Sequence, residues 1–216
     1  VSVLDGSGDM LVAINDMSIV DEISTDRLHR HEAMLRRASL IIVDTNLAED
    51  TLAYIARTFG EQTLFVDTVS VAKAGRVVPV LDKVHTLKAT RAEAGELCGV
   101  ESPRNRQLAG VANRLHDRGV LRVFISLGAD GVFYSHDGEQ GLETAKQSPI
   151  SVENASGAGD AFVAGIAYAW LQDWPLKKSV QFALSAADVA LSHPATINPA
   201  LSAESVHEVY EARYAG

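Results

Sequence analysis

Short, unbroken apolar runs of strand length recur along this chain with helical stretches between them, and that alternation limits the fold more than any other feature. Residues 39–44 (SLIIVD), 63–67 (TLFVD), 84–88 (VHTLK) and 121–127 (LRVFISL) read as strands. Between them, Leu52, Ile55, Ala56 and Phe59 fall at i, i+3, i+4 and i+7, and Leu108, Val111, Ala112 and Leu115 repeat the spacing. Each set occupies one face of a helix. Ser24 or Thr25 caps an earlier helix predicted to run to about Arg37, and Gly119 closes the helix that carries Leu115. Strands that are apolar throughout are buried on both faces, and strands separated by helices run parallel. The fold class is α/β with a mostly parallel sheet.

Hairpins are expected at two places. Residues 1–4 and 10–15 are apolar around Asp5-Gly6-Ser7-Gly8, and residues 131–135 and 141–146 are joined through Asp137-Gly138. After Pro149 the pattern is helical, over 157–174, 176–192 and 203–213. No Pro/Gly/Ser-rich linker or charge block divides the 216 residues, so they read as a single domain.

Composition removes several classes of function. With 47% hydrophobic and 22% charged residues the chain has the balance of a soluble globular protein. It shows no membrane-spanning run and no signal-peptide pattern. A net charge of −9 and no local basic patch argue against a nucleic-acid partner. The single cysteine, Cys98, cannot form an intramolecular disulfide, which suits a cytoplasmic location. The chain opens at Val1 directly on a strand-like segment, which is expected of a piece of a longer protein.

The stretch Asn154-Ala155-Ser156-Gly157-Ala158-Gly159-Asp160 carries most of the chemical information. It is a small-residue loop leading into an apolar helix. The first amides of a helix lack internal partners and, with the helix dipole, favour an anion such as a phosphate. A carboxylate at Asp160 could orient an attacking hydroxyl and take its proton. Two other readings compete. The glycines could simply permit close packing, with Asp160 a favourable first-turn charge. A dinucleotide fingerprint would need a buried strand before the glycines and a strand after the helix. Here residues 151–154 are polar and the following segments are helical, so that reading fails.

Residues 154–165 resemble the C-terminal signature of the ribokinase-like (PfkB) carbohydrate kinases. The resemblance implies a ribokinase-like three-layer α/β/α fold, with the opening hairpin (1–16) a remnant of the lid over the sugar and 17–216 the nucleotide-binding and catalytic core. It implies that Gly157, Ala158 and Gly159 form the anion hole and that Asp160 is the catalytic base. Residues 126–131 (SLGADG) are similar to the family's nucleotide loop, which makes Ser126, Gly128 and Gly131 nucleotide-binding candidates. Residues 88–93 (KATRAE) are similar to its K-P-N-x-x-E string, which puts Lys88 and Thr90 at the phosphates and Glu93 on magnesium through water.

Some positions depart from the family pattern. Thr90 stands for the usual Asn, and Ala89 for the usual Pro. Asn154 stands where many members have an Asp that helps hold a monovalent cation. A neutral amide is the weaker ligand, so little potassium stimulation is expected.

Further strings, residues 11–17, 65–70, 85–88 and 191–199, are most similar to the pseudouridine-kinase branch. The family's early strands, sugar-binding glycines and first signature have no counterpart here. The implied activity is ATP- and magnesium-dependent phosphorylation of a sugar hydroxyl, the 5′-hydroxyl of a nucleoside such as pseudouridine. A kinase of ribose, fructose or adenosine is one alternative, and a non-catalytic nucleotide-binding fragment is another. The implied partner is a small-molecule sugar or nucleoside, with a homodimer as a possible assembly.

Other conspicuous residues have plainer readings. His29 and His31, two apart on a helix, point to different sides, and the arginine-rich stretch 27–37 reads as surface. Trp170 and Trp174 read as core packing. Lys73 and Arg76 read as solvated charges, with a phosphate contact as the alternative.

Overall fold

The computed structural model describes residues 2–4, 10–13, 16–144 and 157–214. Two short strands, β1 (Ser2–Leu4) and β2 (Met10–Ala13), pair antiparallel with Ser2 opposite Ala13. The expected opening hairpin is present, and its turn residues 5–8 lie outside the described residues.

The expected helix at 25–37 divides into α1 (Thr25–Arg30) and α2 (Glu32–Leu35), with His31 leaving helical geometry at ψ 9°. Ser24 does cap α1, accepting a hydrogen bond from the Arg27 amide. Neither helix buries a residue, so no packing free energy holds a single straight axis through His31.

A six-stranded sheet follows in the order β3-β4-β5-β6-β7-β8. Its strands are β3 (Leu40–Asp44), β4 (Thr63–Asp67), β5 (Thr86–Thr90), β6 (Arg122–Ser126), β7 (Val132–His136) and β8 (Glu139–Glu143). Strands β3 to β6 are parallel, and β7 runs antiparallel to β6. Asp137 (φ 47°) and Gly138 (φ 79°) make the two-residue turn between β7 and β8. Strand β8 begins two residues earlier than its apolar pattern suggests, because the turn consumes only those two residues.

The crossovers carry α3 (Glu49–Thr58), α4 (Val71–Ala74), α5 (Arg91–Cys98) and α6 (Leu108–His116). The predicted apolar faces are the buried ones: Leu52, Ile55 and Ala56 on α3 with Phe59 capping its end, and Leu108, Val111, Ala112 and Leu115 on α6. Gly119 adopts φ 101° and donates to the His116 carbonyl, while Val120 donates to that of Leu115, closing α6 as expected. Between α4 and β5 lies an unpredicted 3-10 segment, Gly75–Lys83. Pro79 prevents a regular α-helix there, yet Val77, Val80 and Leu81 are buried. These elements share one apolar core with the sheet, in which Leu87, Val123, Ile125, Ala94 and Leu115 are completely enclosed.

The last part of the chain is helical: α7 (Ala158–Leu171), α8 (Leu176–Leu191) and α9 (Ala203–Tyr214). Helices α7 and α8 approach at Gly165, where a Cβ would stand 2.7 Å from the Ala183 Cα. Asp188 of α8 forms a nearly buried ion pair with Arg213 of α9. Trp174 sits beyond the end of α7 rather than on it. Its ring meets Tyr168 edge-on at 5.8 Å and Phe182 at 5.1 Å, which is the core role expected of it. Lys178 places its ammonium 3.9 Å from the Trp174 ring centre.

By internal packing the chain divides into two compact units. One comprises residues 16–128 and 132–142; the other comprises 1–15, 129–131 and 143–216. No helix among the described residues is long and apolar enough to cross a membrane.

One half-buried group gives the fold a pH dependence. His85, just before β5, stacks on Phe65 at 5.7 Å, and its Nδ1 lies 2.9 Å from the Thr86 hydroxyl. Burial, with Arg122 and His136 nearby, pushes its pKa down to about 4. The unfolded chain, with an ordinary imidazole pKa of about 6.5, binds that proton more readily. Stability from this group is therefore complete above about pH 6.5 and declines as the pH falls toward 4. Urea unfolding across that range should show a shallower decline for His85→Gln than for the parent chain.

Candidate active site

The parallel ladder delivers the C-terminal ends of β3, β4, β5 and β6 to one edge of the sheet. Register sets Asp67 beside Lys88 across β4 and β5, and Thr90 beside Ser126 across β5 and β6. Polar side chains at this edge are buried: Thr45 and Thr68 completely, Asp67, Lys88 and Glu93 to 9% exposure or less. Buried polar groups need partners, and each of these has them.

The Lys88 ammonium lies 3.2 and 3.0 Å from the two carboxylate oxygens of Asp67. Glu93 is the third residue of α5, and Thr90 is the residue that caps it. The Thr90 hydroxyl accepts from the Glu93 amide, and Glu93 Oε2 accepts from the Thr90 amide at 2.7 Å. This reciprocal box is the reason the helix starts where it does. The Thr68 hydroxyl donates a further bond to Oε2 at 2.6 Å. Thus Lys88, Thr90 and Glu93, singled out in the sequence, do come together. Thr90 uses its side chain to cap α5.

Two residues of this network, Asp67 and Thr68, had no role in the sequence reading. The available signal was an aspartate directly closing an apolar strand, TLFVD, at the strand end where parallel sheets bind ligands. Lys73 and Arg76, read as solvated charges, instead have partners within the protein. Lys73 donates to the Asn46 side chain at 2.6 Å, and Arg76 reaches the carbonyls of Thr45, Asn46 and Leu47.

After Ser126 the chain turns through a 3-10 segment, Gly128–Asp130, with Gly128 at φ 63° and Gly131 at φ 99°. Both glycines adopt backbone conformations that other residues rarely reach, so the loop's shape depends on them. The Ser126 hydroxyl lies 3.5 Å from the Ala89 carbonyl.

The second group of candidates lies in the other unit, at the start of α7. Gly157 is the N-cap residue, with φ 84°, and Ala161 donates to its carbonyl. The amides of Ala158, Gly159 and Asp160 therefore fall in the first turn, where an α-helix offers them no acceptor. Asp160 is exposed in that turn. Gly157 also packs against the carbonyl oxygen of Thr196, so close that any side chain at 157 would collide with it. Asn154, the candidate for a monovalent cation, lies outside the described residues. Among the described residues no cluster of histidine, cysteine, aspartate and glutamate is arranged to hold a metal directly, the HxH of His29 and His31 included.

The pfkB family carbohydrate kinase pattern matches residues 2–203, a span that contains every candidate above. The chain belongs to the pfkB family of carbohydrate kinases. It is 40% identical to the pseudouridine kinase of Escherichia coli over 211 residues, covering 97% of this chain and 67% of that protein.

Among solved structures it resembles a Clostridium perfringens protein provisionally named a sugar kinase, at 31% identity and TM-score 0.84, covering 98% of this chain and 66% of that one. It also overlays on Arabidopsis thaliana ribokinase complexed with ribose and ATP, at 20% identity and TM-score 0.75, covering 87% of this chain and 59% of that one. The fold is ribokinase-like, as the sequence resemblance implied. The chain spans about three fifths to two thirds of the length of these relatives.

For this pfkB member, Gly157 carries a double constraint of left-handed backbone and closed space. Gly157→Ala should lower stability by about 1–3 kcal/mol, the usual cost of a strained backbone position. Denaturant unfolding of the two proteins measures it, and an unchanged midpoint would show that the Thr196 loop yields freely.

Proposed function

We propose that this chain carries the nucleotide-binding and catalytic part of an ATP- and magnesium-dependent kinase that phosphorylates the 5′-hydroxyl of a nucleoside, pseudouridine being the favoured substrate. The observation that carries the reading is the start of α7. Gly157 turns the chain into the first turn of a long apolar helix, and the exposed carboxylate of Asp160 stands in that turn.

The chemistry needs two things that this arrangement offers. As the sugar oxygen attacks the terminal phosphorus of ATP, the bond from that phosphorus to its bridging oxygen breaks and ADP leaves, while the Asp160 carboxylate accepts the hydroxyl proton. Negative charge builds on the transferring phosphoryl oxygens, and amides at the helix start stabilise it without reorganising. Lys88 and the loop of Ser126, Gly128 and Gly131 serve the nucleotide.

Glu93 suits hydrated magnesium better than direct ligation. One of its oxygens is held by Thr68 and Thr90, and the other accepts no hydrogen bond among the described residues. Magnesium, when bound, neutralises charge on the phosphates. The assignment of pseudouridine rests on the likeness to the Escherichia coli enzyme.

The test is Asp160→Asn in a chain extended to the length of its relatives. Turnover of pseudouridine with ATP should fall by about 10²–10⁴-fold, the usual worth of a general base. Affinity for nucleotide, read by calorimetry, should change little because the amides remain. Loss of stability of about 0.3–1 kcal/mol with turnover intact would instead make Asp160 a mere first-turn charge. Glu93→Gln, which can still form the α5 capping box, should raise the magnesium concentration needed for half-maximal rate while leaving the unfolding midpoint close to that of the parent.

A further inference from the structure

The turn that follows β4 breaks a local rule, and its partners indicate why. Val69 adopts φ 56°, in the left-handed region that β-branched residues avoid. The Ser70 amide donates back to the Thr68 carbonyl at 2.5 Å, closing a tight three-residue turn centred on Val69. The Thr68 carbonyl is also held by the Thr45 hydroxyl at 2.5 Å. The Val69 amide donates to Asp67 Oδ1 at 3.1 Å, the same oxygen that lies 3.2 Å from the Lys88 ammonium. Strain of this kind persists only where surrounding bonds over-determine it, and it gathers at functional sites.

From this geometry we infer that Asp67 is a positioning residue: it acts through Lys88, holding the ammonium in place for an anionic ligand. The inference rests on the reading that Lys88 serves the nucleotide phosphates. A lysine side chain has four rotatable bonds and an ammonium with no directional fork, so it is a poor anchor unless something fixes it. Here the carboxylate grips the ammonium with both oxygens and is itself pinned by the backbone of a strained turn.

Enclosure makes the grip tight: the side chains of Lys88 and Asp67 are only 11% and 10% exposed. The pair also keeps the lysine's charge compensated before a ligand arrives. The arrangement thus trades local backbone comfort for a fixed cation at the C-terminal edge of the sheet.

Calorimetry with ADP and magnesium tests this on a cycle of four proteins: the parent chain, Asp67→Asn, Lys88→Met, and the double variant. In the parent background Asp67→Asn should weaken ADP about 10-fold or more, the scale of one charge-assisted hydrogen bond. In the Lys88→Met background the same substitution should change affinity less than about 2-fold, since nothing remains to be positioned.

Asp67→Asn alone leaves a buried lysine unpaired and can cost the fold. The double variant removes that charge, and its cooperative melting keeps the comparison decidable. If the single variant does not fold, ADP affinity of the double variant and of Lys88→Met must still agree within about 2-fold for the inference to stand.

An effect of Asp67→Asn that persists undiminished without Lys88 overturns the proposal, because Asp67 would then meet the ligand by itself. Equal ADP affinity in the parent and Asp67→Asn overturns it too. A parent chain that binds no ADP at all sinks the nucleotide reading first, a result distinct from either of these.

Discussion

In a parallel sheet every strand delivers its C-terminal end to the same edge, and the carbonyl and side-chain groups there have no next residue of the ladder to satisfy them. This chain meets that constraint with the residues just past the strand ends, through one hydroxyl and two backbone amides. The Thr45 hydroxyl closes on the Thr68 carbonyl, the Thr45 amide on the Asp67 carbonyl, and the Thr68 amide on the Lys88 carbonyl. Each strand end is thus tied to its neighbour by groups one or two residues past the ladder. The candidate nucleotide residues Lys88, Thr90 and Glu93 grow directly out of this stitching. Their positions depend on register: slipping β5 by one residue against β4 would turn Lys88 away from Asp67 and invert the face of every residue on the strand.

Several groups at this edge serve the fold and the candidate site together. Glu93 completes the capping box of α5 and receives the Thr68 hydroxyl, so the start of a helix and the end of a neighbouring strand share one carboxylate. Loss of either donor would leave a buried oxygen less satisfied and loosen the carboxylate. A group held this firmly presents its remaining oxygen in one direction, which is what an outer-sphere contact to a hydrated ion needs. Gly157 joins the two demands in the other unit. The positive φ that opens α7 and the approach of the Thr196 carbonyl are both met by the absence of a side chain.

Much of this was legible in the sequence, because apolar strands, helical spacing and small-residue loops each leave a local trace. TLFVD became β4 residue for residue, and the apolar faces of α3 and α6 were the buried ones. Other features depend on partners distant in sequence. Residues 84–88 (VHTLK) read as a strand that ended at Lys88. In the fold β5 runs on to Thr90, because Asp67, 21 residues earlier, compensates the lysine. Asp67 went unassigned for the same reason. Arg76 looked like a solvated charge because its acceptors are carbonyls of a loop some 30 residues back. The strain at Val69 had no trace at all, since valine is the last residue that composition would place in a left-handed turn.

The proposed ligands are anions, yet the chain carries 28 acidic against 19 basic residues. Its overall field opposes ATP, so affinity has to come from short range. Salt makes that feasible: at physiological ionic strength the Debye length is about 8 Å, and surface charge farther than that from a ligand is largely screened. Close groups are screened far less. First-turn amides of α7 carry partial positive charge, with the Asp160 carboxylate in the same turn, and Lys88 arrives already matched by Asp67. On the proposed reading the lysine supplies direction more than net charge. Magnesium bound with the nucleotide would, on the same reading, offset part of the phosphate charge that the acidic surface repels.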